Sequence, residues 1–336
     1  MNLRERLLLK LADGGACMPH VPVAQGHLTS DTASLEITGS LSMADLFPAA
    51  NPESIFEDEV EQTYEDFEEI GKRNPNKKGT GRYKLCKGRD RIAVYYFGSS
   101  RNVPKNLDLY LGYLSDFLLL EVDYFERFDA LDPNTNTFTL NGQEYDVPIE
   151  PLRGCKVGAT KRKKAKVESK LDVFSLFDVL VHVAKKPYFS VLGLFDCTLV
   201  EEDQEVLGRA CGNRVCCISL LSCDSLPCLI ATSCHELLHT MGFDHNTSER
   251  CVMNAIGSED WLFLSRTNLR KLQLFHEEGM KLSGVNTKYR SEGFDEFLLI
   301  YHDQLLARLS SDSSIKSLGP SMAWLRSLIK TLSLSL

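Results

Sequence analysis

Residues 235–245 read His-Glu-Leu-Leu-His-Thr-Met-Gly-Phe-Asp-His, and this stretch constrains the fold more tightly than any other in the chain. His235 and His239 are four apart, so on an α-helix both imidazoles leave one face, one turn apart. Glu236 then sits about 100° round the helix, off the histidine stripe. Gly242 lies where a left-handed residue can end the helix, which lets the chain turn back and bring up His245. The local fold is therefore a helix, a glycine stop and a return. Three imidazoles meeting there would hold one zinc ion and leave a fourth tetrahedral position open, the pattern of a catalytic rather than a structural site. Five positions of the pattern are fixed, so at ~1 in 20 each the chance of meeting it in a chain this long is on the order of 1 in 10,000.

The chemistry expected of these parts is hydrolysis of peptide bonds in a peptide or protein substrate. Zinc lowers the pKa of its water towards ~7, and Glu236, beside the ligand stripe, is placed to take the proton and pass it to the leaving amine. Residues 215–221, just upstream of the helix, are expected to be an edge strand along which an extended peptide can lie.

Composition narrows the setting. Of the 336 residues, 43% are hydrophobic and 25% charged, an ordinary globular balance that argues against wholesale disorder. A net charge of −8 makes a basic nucleic-acid-binding surface an unlikely design. No apolar run approaches the ~18 residues of a membrane helix, so no membrane partner is expected. The first residues lack an apolar signal core and a small-residue cleavage site. The 11 cysteines, an odd count in a long chain, are therefore expected as reduced thiols in an intracellular protein, cytoplasmic or nuclear.

Along the chain, residues 1–88 read as a partly irregular extension, 89–288 as the catalytic domain and 289–336 as a helical C-terminal region. Residues 53–69 carry nine acidic and no basic side chains, with Phe56, Tyr64 and Phe67 interleaved so that a helix could lie on the body. A basic stretch follows at 72–91, and such opposite-sign neighbours usually pair or stay solvated. Strands are predicted at 92–97 and 188–195, a hairpin near 138–142, and an amphipathic helix from Pro104 to about Phe125. Asp172 caps a further helix that Pro187 ends near Lys186. Later helices are predicted at 266–280, 294–309 and 320–332. Such an order implies an α/β (α+β) domain with a mixed sheet, a long active-site helix and a mostly helical C-terminal part.

The extended histidine pattern is the metzincin signature, which adds a methionine turn downstream. Here Met253 follows eight residues after His245, inside Cys251-Val252-Met253. A Cys-x-Met so close behind the third histidine resembles the archaemetzincin family, over roughly residues 90–285. The resemblance implies that His235, His239 and His245 hold the catalytic zinc, that Glu236 is the base and that Met253 forms an apolar floor under the metal. It also implies aminopeptidase-like action on short peptides. The family holds a second, structural zinc through four cysteines. In this chain those positions read Asn246, Cys251, Ser265 and Asn268, with Cys251 the one retained ligand, so no structural zinc is expected. Burial of Trp261, Leu262 and Leu269 is expected to take over as the local staple.

Weaker signals leave alternatives open. Cys216, Cys217, Cys223, Cys228 and Cys234 read as small buried thiols, with a rebuilt metal site as the rival; on a strand Cys216 and Cys217 face opposite ways. Cys17 is a candidate latch that would plug the open zinc position. The basic run at 161–166 (KRKKAK) is a solvated loop or a nuclear-import signal, and Arg209 and Asp224 flank the strand before the site helix, within reach of a substrate. The rival to an enzyme is a catalytically idle zinc-binding protein whose C-terminal helices serve as an interaction surface. An intact Glu236 argues against it.

Overall fold

The computed structural model describes residues 46–335 apart from 57–58, 74–80, 129–130, 133–136, 141–142, 147–169, 203, 213, 256–260, 284–292 and 311–318. Helix α1 (Tyr64–Lys72) starts at a capping box, in which the Thr63 hydroxyl accepts from the Asp66 amide and the Asp66 carboxylate accepts from the Thr63 amide. Strand β1 (Arg91–Gly98) is apolar from Ile92 to Phe97 and buried on both faces, as a central parallel strand must be. Helix α2 (Leu107–Leu118) leads to β2 (Glu121–Phe128), and a small antiparallel unit follows in β3 (Leu131–Asp132), β4 (Thr137–Leu140) and β5 (Gln143–Asp146). Then come β6 (Lys170–Asp172), α3 (Val173–Val181), β7 (Tyr188–Phe195), β8 (Thr198–Glu201), β9 (Gln204–Val206), β10 (Gly208–Cys211) and β11 (Val215–Ser219). The site helix α4 (Leu226–Thr240) precedes three C-terminal helices, α5 (Arg266–Ser283), α6 (Phe294–Ser310) and α7 (Gly319–Ser335).

The main sheet is mixed, in the order β10-β11-β7-β1-β2, with β10 antiparallel to a parallel remainder. Its two faces carry separate cores. On one, α3 packs with β6 and β8 over Ala93, Val191, Val215 and Cys217. On the other, Val94, Tyr96, Leu192 and Cys216 meet α2 and α4, and the same core runs on through Phe67, Leu269, Phe297 and Trp324. The N-terminal segment and the C-terminal helices therefore share the apolar interior of the site helix.

Several sequence expectations change. The helix begun near Pro104 stops at Leu118, because Leu119 takes a left-handed conformation (φ 58°). Glu121–Tyr124 alternates polar and apolar residues, the two-residue period of a strand, and Glu121–Phe128 pairs in parallel with β1. Helix α3 has the expected Asp172 cap on the Ser175 amide (2.8 Å) but ends at Val181, and the residues before Pro187 are spent in turns. Residues 215–221 do not form the sheet edge: β11 lies one place inside, and β10 (Gly208–Cys211) is the outermost strand. Phe67 is buried as expected of a docked helix, whereas Phe56 is exposed. Residues 46–72, read as irregular lead-in, pair with the body at a bridge between Ala49 and Glu249. Cys17 and the basic run at 161–166 lie outside the described residues. Among the described residues, no helix is long and apolar enough to cross a membrane.

Two histidines away from the site are buried in the helical layer. The His276 ring donates from Nε2 to the Leu118 carbonyl (2.9 Å), and His302 donates from Nδ1 to Leu298 (2.7 Å). Burial pushes both down to about 4, from 6.5 in an open chain. Below pH 6.5 the unfolded chain therefore takes up protons that the folded one refuses, and stability falls as the pH drops towards 4. The loss should approach about 1.4 kcal/mol per pH unit for each ring. Denaturant midpoints measured from pH 7 to 4.5 should fall on the acid side, and the double substitution His276→Gln, His302→Gln should flatten that fall.

Candidate metal centre

Helix α4 is pinned before it offers any chemistry. The Ser225 hydroxyl caps it by accepting from the Cys228 amide (3.1 Å), and Pro227 sits in the first turn, where its missing N–H costs nothing. Leu229, Ile230, Cys234, Leu237 and Leu238 are buried in the core shared with the sheet. Ser233 gives its proton to the Leu229 carbonyl (2.6 Å), so Tyr110 of α2 is the donor in their 2.7 Å contact. At the other end the Thr240 hydroxyl meets Ser190 of β7 at 2.8 Å.

The helix stops as its sequence requires. Gly242 has φ +90°, and a Cβ there would also come within 2.9 Å of the Arg82 side chain, so both conformation and space select glycine. Arg82 is buried, lies over the Phe67 ring at 4.1 Å and pairs with Glu278 at 2.8 Å, which ties the turn to α1 and α5. The chain then reverses and brings His245 up to His235 and His239.

The three Nε2 atoms lie 3.0, 3.2 and 3.2 Å apart. Each Nδ1 has its own acceptor: Val252 O for His235 (2.9 Å), Phe243 O for His239 (2.7 Å) and Glu59 Oε1 for His245. A carbonyl cannot donate, so Nδ1 of His235 and of His239 carries the proton and their Nε2 atoms present lone pairs to the common point, which His245 Nε2 also faces. Burial also holds His235 at about 3 and His239 at about 4, neutral at physiological pH, as a metal ligand must be. Three ring nitrogens converging on one point fit a cation. A tetrahedral ion bound at about 2.0–2.1 Å needs its nitrogens roughly 3.3 Å apart, close to the spacing seen. Among the described residues, this is the one group of three or more His, Cys, Asp or Glu side chains placed to hold an ion.

Glu236 points elsewhere on the same helix and is buried, which pushes its carboxyl up to about 8, with Arg209 opposing and Glu201 adding to the rise. Strand β10 passes directly over it: a Cβ at Gly208 would lie 3.0 Å from Glu236 Cγ. Arg209, the next residue on that edge strand, turns to Glu201 (3.1 Å). Met253 is fully buried in a turn closed by Asn254 N to Cys251 O (3.0 Å), and its carbonyl accepts from Asn246 N (2.7 Å).

Of the four positions matched to the family's cysteines, Cys251, Ser265 and Asn268 are joined by hydrogen bonds, and Asn246 is bonded to other residues. Cys251 Sγ accepts from Ser265 N (3.1 Å) and from Asn268 Nδ2 (3.5 Å), while Asn246 donates to Glu61 (2.6 Å) and accepts from Glu249 N (3.0 Å). Lys271 lies buried beside them and donates to Gln62 O (2.6 Å). Trp261, Leu262 and Leu269 are buried here, as expected. Cys216 and Cys217 face opposite sides of the sheet, one in each core, and burial pushes both thiols up.

Sequence reasoning missed Glu59, Gln62 and Lys271. Glu59 is 186 residues from His245, inside an acidic run whose composition reads as solvated surface, and nothing in its spacing marks it.

No protein-family model matches the chain, and no curated protein does. Among solved structures the chain is similar to an archaemetzincin from Methanopyrus kandleri, at 18% identity over 57% of this chain and 96% of that one, with a TM-score of 0.37. It is also similar to a zinc-dependent peptidase from Methanocorpusculum labreanum strain Z, at 14% identity over 53% of this chain and 99% of that one, with a TM-score of 0.30.

Proposed function

We propose that the chain is a zinc metallopeptidase that hydrolyses peptide bonds at the three-histidine site. The observation that carries this reading is the convergence of three Nε2 atoms within 3.2 Å of one another, one helical step from a buried carboxyl. His235, His239 and His245 would hold the ion and leave one coordination position for reactants. When bound, zinc supplies Lewis acidity towards a carbonyl and towards water.

Glu236 is the general base. Its proton affinity is raised by burial into the range where a carboxyl can both take and return a proton near neutral pH, and the ion's charge would draw it back down. It takes a proton from the attacking water and returns it to the leaving amine. Strand β10 is the substrate rail: an extended peptide added to the open edge passes over Gly208, where the absence of a side chain keeps the backbone close to Glu236. Met253, in the turn after the third histidine, is assigned as the apolar floor. Its neighbour Val252 accepts the His235 proton, so the turn and the ligand are one unit. We assign a single zinc per chain, because Asn246, Ser265 and Asn268 offer no thiolate beside Cys251. An aminopeptidase-like preference for short peptides with a free N-terminus is part of the proposal.

Elemental analysis should give about one zinc per chain, lost on His239→Ala. Two zincs, with one surviving in that variant, would overturn the single-site assignment. Glu236→Gln should keep its zinc and lose at least about 100-fold in hydrolysis of a mixed peptide library. Full activity in that variant would remove Glu236 from the mechanism. Zinc bound without hydrolysis by the unsubstituted protein would favour the idle binding protein instead. Paired peptides with free and acetylated N-termini test the exopeptidase preference.

A further inference from the structure

The acidic N-terminal segment touches the metal centre without belonging to the histidine motif. It lies along the loop that carries the third histidine. Ala50 N donates to Ser248 O (3.2 Å) and Arg250 N donates to Pro48 O (2.7 Å). Gln62 donates from Nε2 to Gly242 O (3.2 Å) and to Asp244 Oδ2 (3.1 Å). Glu61 accepts from Asn246 (2.6 Å) and Thr247 (3.3 Å). At the end of this strap Glu59 accepts from His245 Nδ1.

The three histidines differ in what stands behind them. His235 and His239 lean on backbone carbonyls, fixed by the turn at Val252 and the helix stop at Phe243. His245 lies beyond the helix, in a loop, and leans on a side-chain carboxylate delivered from 186 residues away. The second oxygen of Glu59 is shielded from solvent and has no hydrogen-bond partner among the described residues, so His245 is the group its burial serves. A carboxylate behind an imidazole fixes the tautomer, stops ring rotation and makes the facing nitrogen a stronger donor to a metal.

We propose that Glu59 is a positioning residue of the metal centre: it holds His245 as the Nδ1–H tautomer with Nε2 aimed at the ion. The acidic segment is thereby a working part of the site. This rests on the zinc reading above, since without an ion there is nothing for Nε2 to meet.

The test is the affinity of the full chain for Zn2+, measured by competition with a chromophoric chelator, in the unsubstituted protein and in Glu59→Gln, Glu59→Ala and Gln62→Ala. Glu59→Ala should bind zinc about 10- to 100-fold more weakly. Glu59→Gln, which is isosteric and keeps an acceptor oxygen, should fall between it and the unsubstituted protein. Gln62→Ala loosens the same strap without touching an imidazole and should lose clearly less zinc affinity than Glu59→Ala. A downfield imidazole N–H proton resonance, absent in His245→Ala, should mark the His245–Glu59 bond in zinc-loaded protein and vanish in Glu59→Ala. Unchanged affinity in both Glu59 variants overturns the proposal, as does an equal loss in Gln62→Ala, which would make the role one of general bracing. If Glu59→Ala does not fold, the Gln variant and the resonance decide. Failure of the unsubstituted protein to bind zinc at all would overturn the zinc reading and this proposal with it.

Discussion

Three imidazoles packed with their Nε2 atoms 3.0–3.2 Å apart do not hold that arrangement on their own account, because each ring gives up water to be there. The arrangement persists because each ring is held from behind, and the three holders come from three parts of the fold. The helix stop at Gly242 presents the Phe243 carbonyl, the turn at Cys251–Asn254 presents Val252, and the N-terminal strap presents Glu59. Much of the architecture serves these holders. Arg82 braces the glycine turn against α1 and α5, and the C-terminal helices complete the core on which α4 rests.

The same helix separates two jobs by rotation. His235 and His239 share one face, while Glu236, next in sequence, faces strand β10. A carboxyl on the histidine stripe would be a competing ligand. Placed off it and buried, Glu236 has its proton affinity raised to near neutrality, which the proposed base requires. Because β10 runs antiparallel at the margin and carries glycine above Glu236, its backbone lies close to the carboxyl.

What could be read from the sequence was what is local. The four-residue spacing of His235 and His239, the glycine at 242 and the Asp172 cap are each set within a turn or two, and all appear as expected. The two parallel strands β1 and β7 were legible because burial on both faces leaves unbroken apolar runs. Where tertiary pairing decided, local pattern misled. Residues 121–125 continue an apolar helical stripe in sequence, yet the open side of β1 claims them as a strand. Residues 208–211 are short and glycine-led, like a turn, yet pairing with β11 makes them the sheet edge. Glu59 was beyond reach in principle, since one carboxylate among nine in an acidic run is distinguished by a contact 186 residues away.

The loop that follows the third histidine keeps its shape through hydrogen bonds: the Cys251 sulfur accepts from the Ser265 amide and the Asn268 side chain, while Asn246 bridges Glu61 and the Glu249 amide. Each such bond contributes only about 1 kcal/mol net, so several are needed to hold the loop. The supplement comes from outside the loop. Lys271 brings a buried amine beside Cys251 and holds the Gln62 carbonyl, and Gln62 in turn holds Gly242 and Asp244. Burial draws the Lys271 amine down to about 8, with Glu61 and Asp244 opposing the fall, so the cation is retained by the carboxylates of the strap and of the third-histidine loop. The N-terminal segment thus supports the metal centre from two directions. It stands behind His245 through Glu59, and through Glu61 and Gln62 it braces the loop that carries that histidine.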